Sequence, residues 1–101
     1  MEKRRPHYDL AAVKLAVQQR GADAFTATAL VGAQAMGLDS ASAIGVVCAM
    51  KRTDFYKSMT THASSQVWQD VYHCDAPNGK VAYIKVTFRT DGSIVIQFKE
   101  K

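Results

Sequence analysis

The sequence predicts an α+β fold, with helices in the N-terminal half packed on an antiparallel β-sheet formed mainly by the C-terminal half. Three observations lead there. Residues 9–50 carry helix caps and helical apolar spacing, residues 54–101 are rich in β-branched and aromatic residues, and glycine-containing turns punctuate that second half. A chain of 101 residues has material for one modest core, so a single domain spanning 1–101 is expected, without repeats or an interdomain linker.

The elements follow in order. The opening "MEKRRPH" is charged, lacks a following apolar run, and reads as an arm rather than an export signal. Asp9 is placed to cap a helix over "LAAVKLAVQQR", with Leu10, Val13 and Val17 at helical spacing and Gly21 just beyond. "ADAFT" is too short to assign and fits either a small strand or a turn. Thr26 caps "ATALVGAQAM", which Gly37 ends, and Asp39 or Ser40 opens "ASAIGVVCAM". That third helix is apolar on nearly every side, which predicts a buried helix. "DFYKSMTT", "VWQDVYHC", "KVAYIKVTFR" and "SIVIQFKEK" read as strands, with turns at "APNG" and "TDG". In the third of these, Ala82, Ile84, Val86 and Phe88 share the face suited to the core, while Val81, Tyr83, Lys85 and Thr87 share the other.

Composition narrows the function classes. Thirteen Lys+Arg against nine Asp+Glu give a formal charge of +4, which suits a polyanionic partner. Cys48 and Cys74 fall on different elements without metal-ligand spacing, and with no signal peptide ahead of them both are expected as reduced thiols in the cytoplasm. No apolar run reaches the ~18 residues a membrane span requires. His7, His62 and His73 show no ligand spacing, so no metal or other cofactor is expected. Neither a G-x-S-x-G elbow nor a phosphate-cradling glycine loop is present.

What remains is a cationic, hydroxyl-rich sheet face. Tyr83 and Lys85 lie two residues apart on one strand, about 6.5–7 Å apart on the same side. A neighbouring ammonium favours tyrosinate, so such a pair suits metal-free proton transfer. Lys57 and Gln69, on neighbouring strands, add a charge clamp and a neutral hydrogen-bonding group. This set fits attack of an RNA 2′-hydroxyl on the adjacent phosphorus, which needs a base, an acid and fixed positive charge. Each residue also has a plain structural alternative: an edge lysine deterring aggregation, surface hydrogen bonds, rim packing by Trp68 and Tyr72, gap filling by Met59. Strict alternation presents one difficulty. It puts Phe55, Met59, Val67 and Val71 on the face of Lys57 and Gln69, requiring either an apolar floor or a curled sheet.

"MEKRRPH", "DFYKSMTT", "WQDVY" and "FKEK", in this order and spacing, resemble the motility quorum-sensing regulator (MqsR) toxins of bacterial type II toxin–antitoxin systems. The resemblance spans essentially the whole chain, residues 21–51 matching in character only. It implies a RelE-like fold and a metal-independent endoribonuclease that cuts single-stranded mRNA at a short GC-containing triplet without the ribosome, halting translation. Carried over, it implies catalytic roles for Lys57, Gln69 and Tyr83, and RNA contacts from Tyr56, Met59, His73, Lys85 and Lys99. Two departures stand out: Ala82 is inserted between Val81 and Tyr83, and His73 occupies a position commonly held by arginine. Histidine is charged only below about pH 6.5, so a phosphate contact there becomes pH-dependent. The resemblance further implies a cognate antitoxin with a zinc-binding part and a helix-turn-helix DNA-binding part, for which sheet-edge pairing is a plausible docking mode.

Two rivals are open to the same sequence. "TALVGAQAMGLDSASAIGVVCAM" followed by strands sketches a winged helix-turn-helix, but its second helix has no Arg, Lys, Asn or Gln to read base edges. A non-catalytic basic RNA- or protein-binding module shares the cationic face and predicts no cleavage.

Overall fold

The computed structural model describes all residues, Met1–Lys101. In chain order it contains β1 (Glu2–Lys3), α1 (Leu10–Arg20), a 3₁₀ turn (Gly21–Ala24), α2 (Ala27–Ala35), α3 (Ser40–Cys48), a second 3₁₀ turn (Arg52–Asp54), β2 (Phe55–Thr60), β3 (Trp68–Asp75), β4 (Val81–Phe88) and β5 (Ile94–Glu100). The strands form one antiparallel sheet in the order β1-β2-β3-β4-β5. This is the expected α+β arrangement, with the helices on one face.

Each helix starts where a side chain supplies the missing acceptor. Asp9 accepts from the Ala12 N–H at 3.0 Å, Thr26 Oγ1 from Ala29 at 3.0 Å, and Asp39 from Ser42 at 2.8 Å. The ambiguous "ADAF" resolves into both readings. A 3₁₀ turn leads to Phe25, which bridges in parallel to Ile96, and the Thr26 N–H donates to the Ile96 carbonyl. The outer edge of β5 is thereby covered, and α2 runs along it. Gly32 permits that approach, since a Cβ there would lie 2.3 Å from the Phe98 carbonyl oxygen. At the β4–β5 hairpin, Gly92 takes φ 86°, the left-handed geometry its turn requires.

The core lies between helices and sheet: Val13, Val17, Met36, Val47 and Met50 meet Tyr72, Ile84, Ile96 and Phe98, all at most 3% exposed. The face assignment read from β4 holds, with Ala82, Ile84 and Val86 buried.

One expectation changes, and the arm takes on a structure that the sequence left unassigned. The third helix, α3, buries Ala43, Val46 and Val47 but leaves Ala41 and Gly45 exposed. Its outward residues are small, so their exposure costs little hydrophobic free energy, and an apolar composition did not imply burial all round. The N-terminal arm is ordered and contributes the edge strand, Glu2 pairing with Met59 and Lys3 with Ser58. It is held by Asp70, a carboxylate only 1% exposed, which accepts from the backbone N–H groups of His7 and Tyr8 at 2.9–3.0 Å. Tyr8 also donates its hydroxyl to the Trp68 carbonyl at 2.7 Å, and His7 stacks on the Trp68 ring.

Candidate active site

The sheet face away from the helices carries three neighbouring rows of side chains, because residues opposite each other in register point the same way. The middle row reads Lys57–Val71–Lys85–Gln97 across β2 to β5. On one side lies Glu2–Met59–Gln69, and on the other His73–Tyr83–Lys99. Rows along a strand are two residues apart, about 6.5–7 Å. Lys57, Gln69, Tyr83, Met59, His73, Lys85 and Lys99 thus share one face, and Tyr56 joins them by stacking on His73 with ring centroids 4.5 Å apart.

The parity difficulty is resolved by a β-bulge. Phe55 pairs with Tyr72 and Lys57 with Val71, so Tyr56 is an extra residue on β2. Phe55 therefore turns to the core and meets Tyr72 edge to face at 5.6 Å, correcting its assignment to the site face. Tyr56 and Lys57, consecutive in sequence, both face the site. Val71 and Met59 do supply an apolar floor. Val71 is fully buried yet lies outside the main core, beneath the site side chains. Val67 lies before β3 and is 39% exposed.

Within these three rows the charge is positive, and Glu2 is their one carboxylate. The Lys57 ammonium donates to Glu2 Oε1 at 2.7 Å. That bond raises the Lys57 pKa above the usual lysine value and lowers that of Glu2. Lys85 and Lys99 place their ammonium groups 5.9 and 5.4 Å from the Tyr83 ring centre, while Arg4 and Lys57 flank Tyr56 at 5.8 and 5.5 Å. His73 lies between the Tyr56 and Tyr83 rings, its Nε2 buried without a hydrogen-bond partner. Burial, then repulsion from Lys101, lowers its pKa below the ordinary histidine value. Its ring is therefore held uncharged at neutral pH, and the fixed positive charge of this face comes from the lysines.

Two grooves flank the rows. One of about 510 Å³ runs between α2 and the sheet, with Tyr83, Lys85 and Lys99 on its sheet side. The other, about 790 Å³, opens between the arm, the β2–β3 connection and the β4–β5 hairpin, and reaches Gln69. No three His, Cys, Asp or Glu side chains converge as a metal-ligating cluster.

Sequence reasoning missed Glu2, Arg4 and Gln97. Gln97 was within reach, since Val95, Gln97 and Lys99 alternate with Ile94, Ile96 and Phe98. Glu2 was not, because a two-residue strand shows no period.

Comparison with known proteins adds to this geometry. Residues 5–100 match the family described as motility quorum-sensing regulator, toxin of MqsA. Over 101 residues, covering the whole of both chains, the sequence is 42% identical to the mRNA interferase toxin MqsR of Escherichia coli (strain K12).

Proposed function

This chain belongs to the motility quorum-sensing regulator family of toxins and is an endoribonuclease of the mRNA interferase type; we propose that it cuts single-stranded mRNA at a short GC-containing motif, without a metal ion, and so blocks translation. The observation that carries the proposal is that Lys57, Gln69 and Tyr83 share one sheet face left free by the helices, with Lys85, Lys99 and the exposed Tyr56 ring beside them.

In the proposed reaction the ribose 2′-oxygen attacks the adjacent phosphorus and loses its proton, while the departing 5′-oxygen gains one. Tyr83 transfers protons. Lys57, held charged by Glu2, stabilises the negative charge that builds on the phosphorane, and Lys99 and Lys85 add to that field. Gln69 positions the phosphate or base through its neutral amide. Tyr56, with His73 behind it, gives a base a stacking surface, and Met59 an apolar contact. The products are a 2′,3′-cyclic phosphate and a 5′-hydroxyl.

A cognate antitoxin, zinc-binding in one part and helix-turn-helix in the other, neutralises the toxin in this reading. Its strand has one open sheet edge to pair with, on the β1–β2 side, because Phe25 and α2 cover the outer edge of β5. No single helix is long and apolar enough to cross a membrane, and action on mRNA sets the proposed location in the cytoplasm.

The test is incubation of the purified protein with a defined RNA in EDTA, followed by analysis of fragment ends. Cyclic phosphate and 5′-hydroxyl ends are expected, and Lys57→Ala and Tyr83→Phe should abolish cleavage with little change in melting temperature. Intact RNA from well-folded wild-type protein would leave a non-catalytic RNA- or protein-binding module.

A further inference from the structure

The two grooves beside the candidate active site have one lining residue in common, Gln97. We infer that a single-stranded RNA segment runs from one groove to the other across Gln97, whose side-chain amide reads the edge of a base flanking the scissile bond. This inference rests on the endoribonuclease reading and extends it to substrate path and specificity.

The amide is free to read. Gln97 is exposed, and its side chain has no hydrogen-bond partner within the protein, so two donors and one acceptor face outward. A base edge complements that set, as the pairing of glutamine amides with adenine illustrates. Its position is central. Gln97 stands directly opposite Lys85 and in the same row as Lys57. A base over Gln97 therefore keeps its phosphate within the cationic row.

The walls suit a nucleic-acid strand at both ends. The α2 groove contributes Lys85 and Lys99 without a carboxylate, and offers exposed Val31 and Thr28 on the helix side. The second groove contributes Arg89 and the Gln69 amide. Its one carboxylate, Asp91, is engaged by the backbone N–H and hydroxyl of Ser93 at 2.9 and 2.7 Å. From Gln69 to Lys99 the path crosses two strand spacings and two rows, about 16 Å. More than one nucleotide is needed to cover it.

The experiment compares wild type, Gln97→Ala, Gln97→Glu and Lys57→Ala on a pool of RNAs randomised around one cut site, sequencing the products. Val31→Trp, which partly fills the α2 groove from an exposed position, is run on long RNA and on RNA too short to enter that groove. For Gln97→Ala, discrimination at one flanking position should fall about tenfold, the size of a lost base-edge pairing. Gln97→Glu should shift the preferred base at that position. Val31→Trp should slow cleavage of the long RNA relative to the short one. If wild type cleaves, Lys57→Ala does not, and the Gln97 variants keep the wild-type site profile, the inference fails while the active-site reading stands. If wild-type protein leaves all RNA intact, the reading falls and the inference with it.

Discussion

Replacing Asp70 tests the link between the arm and the sheet. Its carboxylate is buried and receives the His7 N–H, shared between both oxygens at 3.0 Å, and the Tyr8 N–H at 2.9 Å. A hydrogen bond to a charged acceptor contributes about 1.5–3 kcal/mol, so two donors bound the interaction at about 3–6 kcal/mol. Asp70→Asn keeps one acceptor oxygen and loses the charge, giving an expected loss of about 2–3 kcal/mol. Asp70→Ala leaves both donors unpaired and should cost about 3–5 kcal/mol. At about 4–8 °C per kcal/mol for a chain of this size, the asparagine variant should melt roughly 8–24 °C lower. Urea unfolding and thermal melts measure this directly. Because His7 and Tyr8 lie between β1 and α1, the same change should speed tryptic cutting after Lys3 and Arg4. A loss below about 1 kcal/mol, with cutting rates unchanged, would refute the claim that Asp70 holds the arm.

Other outcomes follow from single groups. The Tyr72 hydroxyl is buried without a partner, and burial pushes its pKa up to about 12; Tyr72→Phe should therefore stabilise the fold by about 1 kcal/mol, and a clear loss in urea melts would show an unseen partner. His73 and His7 both have pKa values lowered first by burial, so between their folded values and the unfolded value near 6.5 the unfolded chain binds more protons. Stability should then fall as pH drops below about 6.5, and His73→Gln should flatten that slope in melts from pH 7.5 to 5; an identical slope would contradict the assignment. Glu2→Gln removes the carboxylate that binds Lys57, so the alkaline limb of the cleavage profile should move to lower pH and KM should fall about three- to fivefold at low salt. An unchanged KM and limb would show that the pair is outside the reaction.

Much of the fold was legible because its signals are local. Asp9, Thr26 and Asp39 cap their helices through a donor three residues on, and the strand alternation of β4 assigns its faces without outside help. The parts that were not legible depend on distant partners. Asp70 shares its parity with Trp68 and Tyr72, and its burial is compensated by N–H groups 62 and 63 positions away. β1 is a strand only because β2 lies beside it. The composition of α3 stated how much was apolar and left open which side the sheet covers.

The site shows the same division, and the bulge at Tyr56 explains why. Alternation alone groups Tyr83 with Lys85, and Val95 with Gln97 and Lys99, since those strands are regular. On β2 it fails by one residue, and a one-residue slip exchanges the faces of everything beyond it. The bulge absorbs that slip between Phe55 and Lys57. Phe55 thereby stays with the core and seals it against Tyr72, while Tyr56 and Lys57 both reach the uncovered face. A regular strand would have had to give up either the core aromatic or one of the two site residues. The irregularity lets a single short strand carry out packing and presentation together, which is the physical reason that a stacking ring and a charged amine stand side by side over Val71.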